Sequence, residues 1–201
     1  MKRERTVAPT VEPVTLDDIR KWLAFQNGVT DDDELVEDLV DEVIAYLEGN
    51  GTHLGVLNGH VMCTQTWKLT LDADEIASVI YPRIVPLSSV SSITTYDDDG
   101  ASTSVASSNY QVTTGLVPRI AVTADGEWPT DVRDHDAMEI VCVCGYGGAS
   151  AVPADVKMLI KGLVLHHYSA KGLGVQQTVS GQLISVPYQF ERMIDMLRVT
   201  A

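Results

Sequence analysis

The stretch Met138-Glu-Ile-Val-Cys-Val-Cys144, followed by Gly145-Tyr-Gly-Gly148 and then Val152-Pro153, constrains the fold more than any other part of the chain. It reads as a strand, a glycine turn and the start of a helix. Residues 138–144 are too apolar for a strand wetted on one side, so both faces are expected to be covered or nearly so. Glycines at 145 and 147 let the chain turn closely round Tyr146, in backbone conformations that other residues avoid. Pro153 suits the first helical position, where a missing N–H is no loss. The helix over about 153–170 carries Val156, Met158, Leu159, Ile160, Leu163, Val164, Leu165 and Tyr168. These point in almost every direction, so the helix is expected to be covered on most sides. Gly145, Tyr146, Gly147, Pro153 and Leu163 are thus the expected structural joint of the molecule. Gly147→Val or Leu163→Asp is expected to abolish folding, through a barred backbone conformation or a buried charge.

The cover for that helix must come from the preceding chain. Residues 1–14 lack periodicity and read as a flexible N-terminal arm. Thr15 has the look of an N-cap with Asp18 in the capping-box position, opening a short helix that buries Leu16, Ile19, Leu23 and Trp22. A second helix opens at Thr30, with Asp31, Asp32 and Asp33 in a first turn that favours negative charge. Leu35, Val36, Leu39, Val40, Val43, Ile44 and Leu47 form its apolar stripe, and Glu34, Glu37, Asp38, Asp41, Glu42 and Glu48 lie around the rest. These acids read as a solvated face rather than a metal site.

From about residue 60 the period changes from helical to two. Met62–Asp72 reads as a strand in which Trp67, Leu69 and Leu71 suggest a bulge or a two-sided strand. Ile80–Pro86 reads as a proline-broken edge, and Val90–Tyr96 as a strand ending in the turn Asp97-Asp-Asp-Gly100. Short strands are expected at 110–112 and 119–122, before the strand at 138–144. The fold class is therefore α+β: a small antiparallel helical bundle with a β-rich insertion between the second and third helices. The expected division is an arm (1–14), a helical layer (15–50), the β-rich insertion (60–145), and the helical layer continued (150–201). That last part holds a glycine- and glutamine-rich mobile loop at 171–186 and a final helix opened by Pro187.

The formal net charge of −14 is unevenly spread. Residues 1–50 hold 13 acids against 5 bases and residues 51–150 hold 12 against 4, whereas residues 151–201 hold 3 against 5. Adhesion to a nucleic-acid backbone needs concentrated Lys and Arg and is not expected. The asymmetry suits head-to-tail contacts between copies. No apolar run reaches the roughly eighteen residues of a membrane span, and Met-Lys-Arg-Glu-Arg lacks the core of a secretory signal, so no membrane partner is expected.

Candidate chemistry is thin. Cys63, Cys142 and Cys144 with His166 and His167 are zinc-ligand types, but a Cys-x-Cys pair inside an apolar strand packs more often than it ligates. Adjacent histidines also diverge by about 100° on a helix. Asp97–Gly100 lacks the alternating donors and closing glutamate of a calcium loop. Asp131, Asp134, His135 and Asp136, with His166 or His167, are the alternative site, a small hydrolase or metal-binding domain. No activated Ser or Cys accompanies them in a known pattern. No catalytic residue, metal or cofactor is expected.

The ordered set of Thr15-Leu-Asp-Asp-Ile19, the acidic helix, Gln65-Thr-Trp67, Pro82-Arg83, Pro86-Leu-Ser-Ser-Val-Ser-Ser-Ile93, Tyr110-Gln-Val112, Trp128-Pro129, Gly145-Tyr-Gly147 and Val152-Pro153 resembles the head–tail connector (adaptor, head-completion) family of tailed phages and prophages. The resemblance covers residues 14–170 and extends less closely to 198. It implies a non-enzymatic ring of about twelve copies under the portal protein, docking a stopper or tail-completion protein below. It also implies a virion-neck location, after assembly in the host cytoplasm, and a channel through which double-stranded DNA passes without sequence-specific binding. In that setting Glu34, Glu37, Asp38, Asp41 and Glu42 are candidates for an acidic channel face that repels DNA. Gln176, Gln177, Arg192 and Arg198 are candidates for portal or neighbour contacts.

Overall fold

Two sequence periods become two layers, each with its own core. The computed structural model describes residues 1–25, 30–51, 53–171 and 187–199. Its helices are α1 (Leu16–Trp22), α2 (Asp33–Glu48), α3 (Ala154–Lys171) and α4 (Tyr188–Leu197). Its strands are β1 (Lys2–Val7), β2 (Gln65–Leu71), β3 (Val79–Ile80), β4 (Leu87–Tyr96), β5 (Ser102–Ser104), β6 (Tyr110–Thr113), β7 (Arg119–Val122) and β8 (Met138–Cys144). The fold is α+β, with the β-rich insertion between the second and third helices.

The helices share one apolar cluster. Ile19 of α1, Val36, Val40, Val43 and Leu47 of α2, and Leu159, Ile160 and Leu163 of α3 meet in it, and Ile194 of α4 closes it. The α1 start is a capping box: Thr15 Oγ1 accepts from the Asp18 N–H at 3.2 Å, and the Asp18 carboxylate accepts from the Thr15 N–H at 3.2 Å. These bonds hold the Asp18 carboxyl below its ordinary pKa. Helix α2 begins later than Thr30, with Asp32 at the cap position and no side-chain capping bond. The Asp32 carboxylate instead accepts the Tyr168 hydroxyl at 2.6 Å, tying α2 to α3.

The five-stranded antiparallel sheet runs β1-β2-β8-β4-β5, and a three-stranded sheet runs β3-β7-β6. The second cluster lies here, with Trp67, Leu69, Ile93, Ile140 and Cys142 among its buried members. Strand β2 pairs regularly with β8, without the bulge that was one of the two expected alternatives: the pairs run residue by residue from Gln65–Cys144 to Leu71–Met138. Trp67, Leu69 and Leu71 all face inward. The irregularities fall instead in β4, where the register against β8 shifts twice, and in β1, where the register against β2 shifts between Arg5 and Val7.

Three further expectations need correction. Residues 2–7, read as part of a flexible arm, form β1 and pair with β2. Their charged side chains suit an edge strand, where one row of backbone groups meets solvent. Strand β8, by contrast, has both faces covered or nearly so, as expected: Met138, Ile140, Cys142 and Cys144 are buried, and Glu139, Val141 and Val143 are half-buried. Trp22 is exposed, because α1 turns Ile19 rather than the indole to the core. Met158 and Leu165 give α3 an exposed side, so it is covered by α1, α2 and α4 on less of its surface than its composition suggests.

Candidate docking surfaces

The joint is built as a backbone exchange between loops. The Gly145 N–H donates to the Pro86 carbonyl (2.8 Å), the Tyr146 N–H to the Met62 carbonyl (2.8 Å), and the Thr64 N–H to the Gly147 carbonyl (2.9 Å). Both Gly145 and Gly147 have left-handed φ values, +112° and +127°. A turn at 149–151 then leads to Pro153 and α3, in which Leu163 is 1% exposed.

Two polar networks fasten the helical layer to this joint, and neither was evident in the sequence. Glu48, read as part of a solvated face, is 3% exposed. Its carboxylate accepts from the Met62 N–H and from Gln65 Nε2 at 3.1 Å, and Gln65 Oε1 accepts from Trp67 Nε1 at 3.1 Å. Burial pushes the Glu48 carboxyl pKa up. On the other side His60 bridges Tyr146 Oη (2.8 Å) and the Leu197 carbonyl (2.7 Å). A carbonyl only accepts, so Nδ1 carries the proton and Nε2 accepts from the Tyr146 hydroxyl. Burial lowers the His60 pKa from its ordinary 6.5.

The direction of that shift gives a pH prediction. Below about pH 6.5 the unfolded imidazole takes up a proton that the folded one resists, so this group's contribution to stability is complete above 6.5 and falls as the pH drops. One such proton contributes a slope of at most about 1.4 kcal/mol per pH unit. Urea unfolding at pH 7.5 and 5.5 is expected to show a loss for the native chain that His60→Gln reduces; an equal loss in both proteins contradicts it. The Glu48 shift has the opposite sign, since its unfolded carboxyl ionises first as the pH rises above 4.5, and its contribution is lost with rising pH.

Two surfaces stand out from these supports. The first is the acidic face of α2, where Glu34, Glu37, Asp38, Asp41 and Glu42 are all exposed. Glu12 lies close enough for Asp41 and Glu37 to add to the burial that raises its pKa. The second is an apolar cavity of about 660 Å³ beside the joint. Tyr81, Leu116, Val117 and Met196 line it, over a floor that includes His60 and Tyr146. Arg83 and Arg198 also line it, with Asp155. Sequence reading had singled out Arg198 and missed the cavity, whose walls come from segments far apart in the chain. Arg198 donates through Nε to the Val56 carbonyl at 2.9 Å and pairs with Asp195 at 3.6 Å. Arg192 is exposed on α4, away from that lining, and Gln176 and Gln177 lie outside the described residues.

The alternative chemistry is not assembled. Asp131, Asp134, His135 and Asp136 are exposed on a loop at the sheet, where Asp72 accepts the Asp136 N–H at 2.8 Å. His166 and His167 sit instead in the last two turns of α3, in the helical layer. Cys63, Cys142 and Cys144 are free and buried, with Cys142 and Cys144 Sγ atoms 3.7 Å apart. Burial pushes the Cys63 thiol up to about 11, so it is not a ready thiolate. No group of three or more His, Cys, Asp or Glu among the described residues is placed to hold a metal. None of the described helices is long and apolar enough to cross a membrane.

No protein-family model matches the chain, and no curated protein matches it in sequence. Solved structures do match its fold. One is a chain in the neck of an empty gene transfer agent particle computed with C6 symmetry (TM-score 0.75, 18% identity). Another is in the virion of the native gene transfer agent particle (0.75, 17%), and a third in the neck of the native particle computed with C12 symmetry (0.71, 17%). Each match covers 100% of this chain and 97% of the other. The fold is shared from end to end with a neck component.

Proposed function

We propose that this protein is a structural head–tail connector (adaptor) of a tailed phage, prophage or related particle, located in the virion neck after assembly in the host cytoplasm. The observation that carries the reading is the end-to-end fold likeness to a gene transfer agent neck chain, at a TM-score of 0.75. Copies form a ring under the portal protein, extend the DNA channel and offer a docking surface to a stopper or tail-completion protein. A dodecamer is the favoured copy number; one of the similar necks was computed with C12 symmetry. The protein acts by contact and needs no catalytic group, metal or cofactor.

In this reading the exposed acids Glu34, Glu37, Asp38, Asp41 and Glu42 give a channel wall that double-stranded DNA does not adhere to. Arg192 and Arg198, in the mildly basic last quarter, are proposed contacts to portal or neighbour. Gln176 and Gln177 share that proposed role.

Negative-stain imaging tests the reading. Protein mixed with portal rings of the same particle is expected to add one layer beneath the portal, with twelvefold class averages. Bare portal rings under assembly conditions would overturn the connector reading, and a layer of another symmetry would overturn the dodecamer alone.

A further inference from the structure

Eleven large apolar side chains are exposed among the described residues, and four of them, Tyr81, Leu116, Val117 and Met196, line the cavity of about 660 Å³ beside the joint. Scattered apolar residues need no explanation, but a concentration of them round a concave site with a polar rim does. Arg83 is exposed at that site, and its guanidinium has no carboxylate partner among the described residues. The Arg3 guanidinium adds to the local positive charge, donating to the Arg83 carbonyl at 3.2 Å. Arg83 also has a left-handed φ of +55°. Its loop is held by the Val85 N–H on the Gly59 carbonyl (2.8 Å) and the Val61 N–H on the Val85 carbonyl (2.7 Å). Strain maintained in this way fits a preorganised contact site. Arg3, Arg83 and Arg198 against Asp155 and Asp195 leave the site one positive charge in excess, and on a chain of net charge −14 such an apolar site favours an acidic, partly apolar occupant.

The chain carries such an element. Glu34, Asp38, Glu42 and Tyr46 recur every fourth residue on α2, so they form one ridge, and all four are exposed. Tyr46 is 45% exposed and is a large apolar body at the end of three carboxylates. None of the four lines the cavity, so the ridge and the cavity are separate surfaces of one molecule. We infer that the cavity of one copy receives the α2 ridge of a second copy, with Tyr46 anchored among Tyr81, Leu116, Val117 and Met196 and the ridge carboxylates set against Arg83 and Arg198. This rests on the reading that copies of the chain assemble with one another, and it names the surfaces they use. Within that assembly it assigns Glu34, Asp38 and Glu42 to the contact between copies instead of the channel wall, which keeps Glu37 and Asp41 on the adjoining side of α2.

Cysteine pairing between copies tests it, because the three native thiols are buried and do not compete. Tyr46→Cys and Val117→Cys proteins are mixed under mild oxidation, with Trp22→Cys replacing Tyr46→Cys as the exposed control. The Tyr46–Val117 disulfide is expected to form at least about tenfold faster than the control pair, as a close, charge-complementary contact requires. Adding Arg83→Glu to the Val117→Cys protein is expected to remove the advantage, and adding Glu42→Arg to the Tyr46→Cys protein to restore it. Equal rates for the two pairs, or a rate indifferent to Arg83→Glu, would overturn the inference. A layer on the portal without the disulfide advantage sinks this contact only, whereas an absent layer sinks the connector reading itself.

Discussion

Leu163→Asp is expected to leave the protein unfolded, while Leu165→Asp, two residues further along the same helix, leaves it folded. Leu163 is 1% exposed in the cluster shared by the helices, whereas Leu165 is 39% exposed. An aspartate at 163 either buries an unpaired carboxylate or holds a proton against its ordinary pKa, and it also forfeits the packing of the leucine. The loss is on the order of 5 kcal/mol, comparable to the whole stability of an ordinary domain. At 165 the carboxylate reaches water, and the change stays within roughly 1 kcal/mol. Far-UV circular dichroism and thermal unfolding of the two variants check this. A soluble Leu163→Asp protein melting with the native chain would show that α3 is not the shared wall of the helical core.

The same helix shows what could be read from the residues alone. The apolar spacing of α2, the Thr15–Asp18 box of α1 and the proline before α3 are local signals with local causes, so they were legible. Strand β1 was not, because Lys2-Arg-Glu-Arg-Thr6 has neither apolar alternation nor β-branched enrichment, and only its partner β2 makes it a strand. Glu48 shows the same limit for a single side chain. Its position beside the α2 stripe permits either solvent or burial, and the choice is made by partners 14 and 17 residues away, the Met62 N–H and the Gln65 amide. The acidic face was legible as a face. The cavity was not, since it gathers loops near 81–85 and 116–118 with the start of α3 and the end of α4. Exposed apolar residues in a loop carry no period, so their convergence exists only in three dimensions.

Of the two left-handed glycines at the joint, Gly145 is expected to be far less replaceable than Gly147. Sequence reading put the weight on Gly147, but the space around each residue reverses that order. A Cβ on Gly145 would lie 2.4 Å from the Cys63 carbonyl oxygen and 2.6 Å from its carbon, and backbone cannot swing aside as a side chain does. On Gly147 the nearest atom is the Ala151 Cβ at 3.3 Å, which a small shift accommodates. Both substitutions carry left-handed strain, on the order of 1–2 kcal/mol for alanine. Gly145→Ala adds displacement of the 62–64 segment, which carries the Tyr146–Met62 and Thr64–Gly147 bonds and the Met62 N–H held by Glu48. Moving it strands a buried carboxylate and opens the start of β2, so the total is about 4 kcal/mol or more. Urea midpoints for the two alanine variants measure the difference directly. Equal midpoints would mean that the 62–64 segment yields freely and that the joint lies elsewhere. The expected inequality would locate the union of the two layers at the contact between Gly145 and Cys63, with Gly147 contributing only the turn.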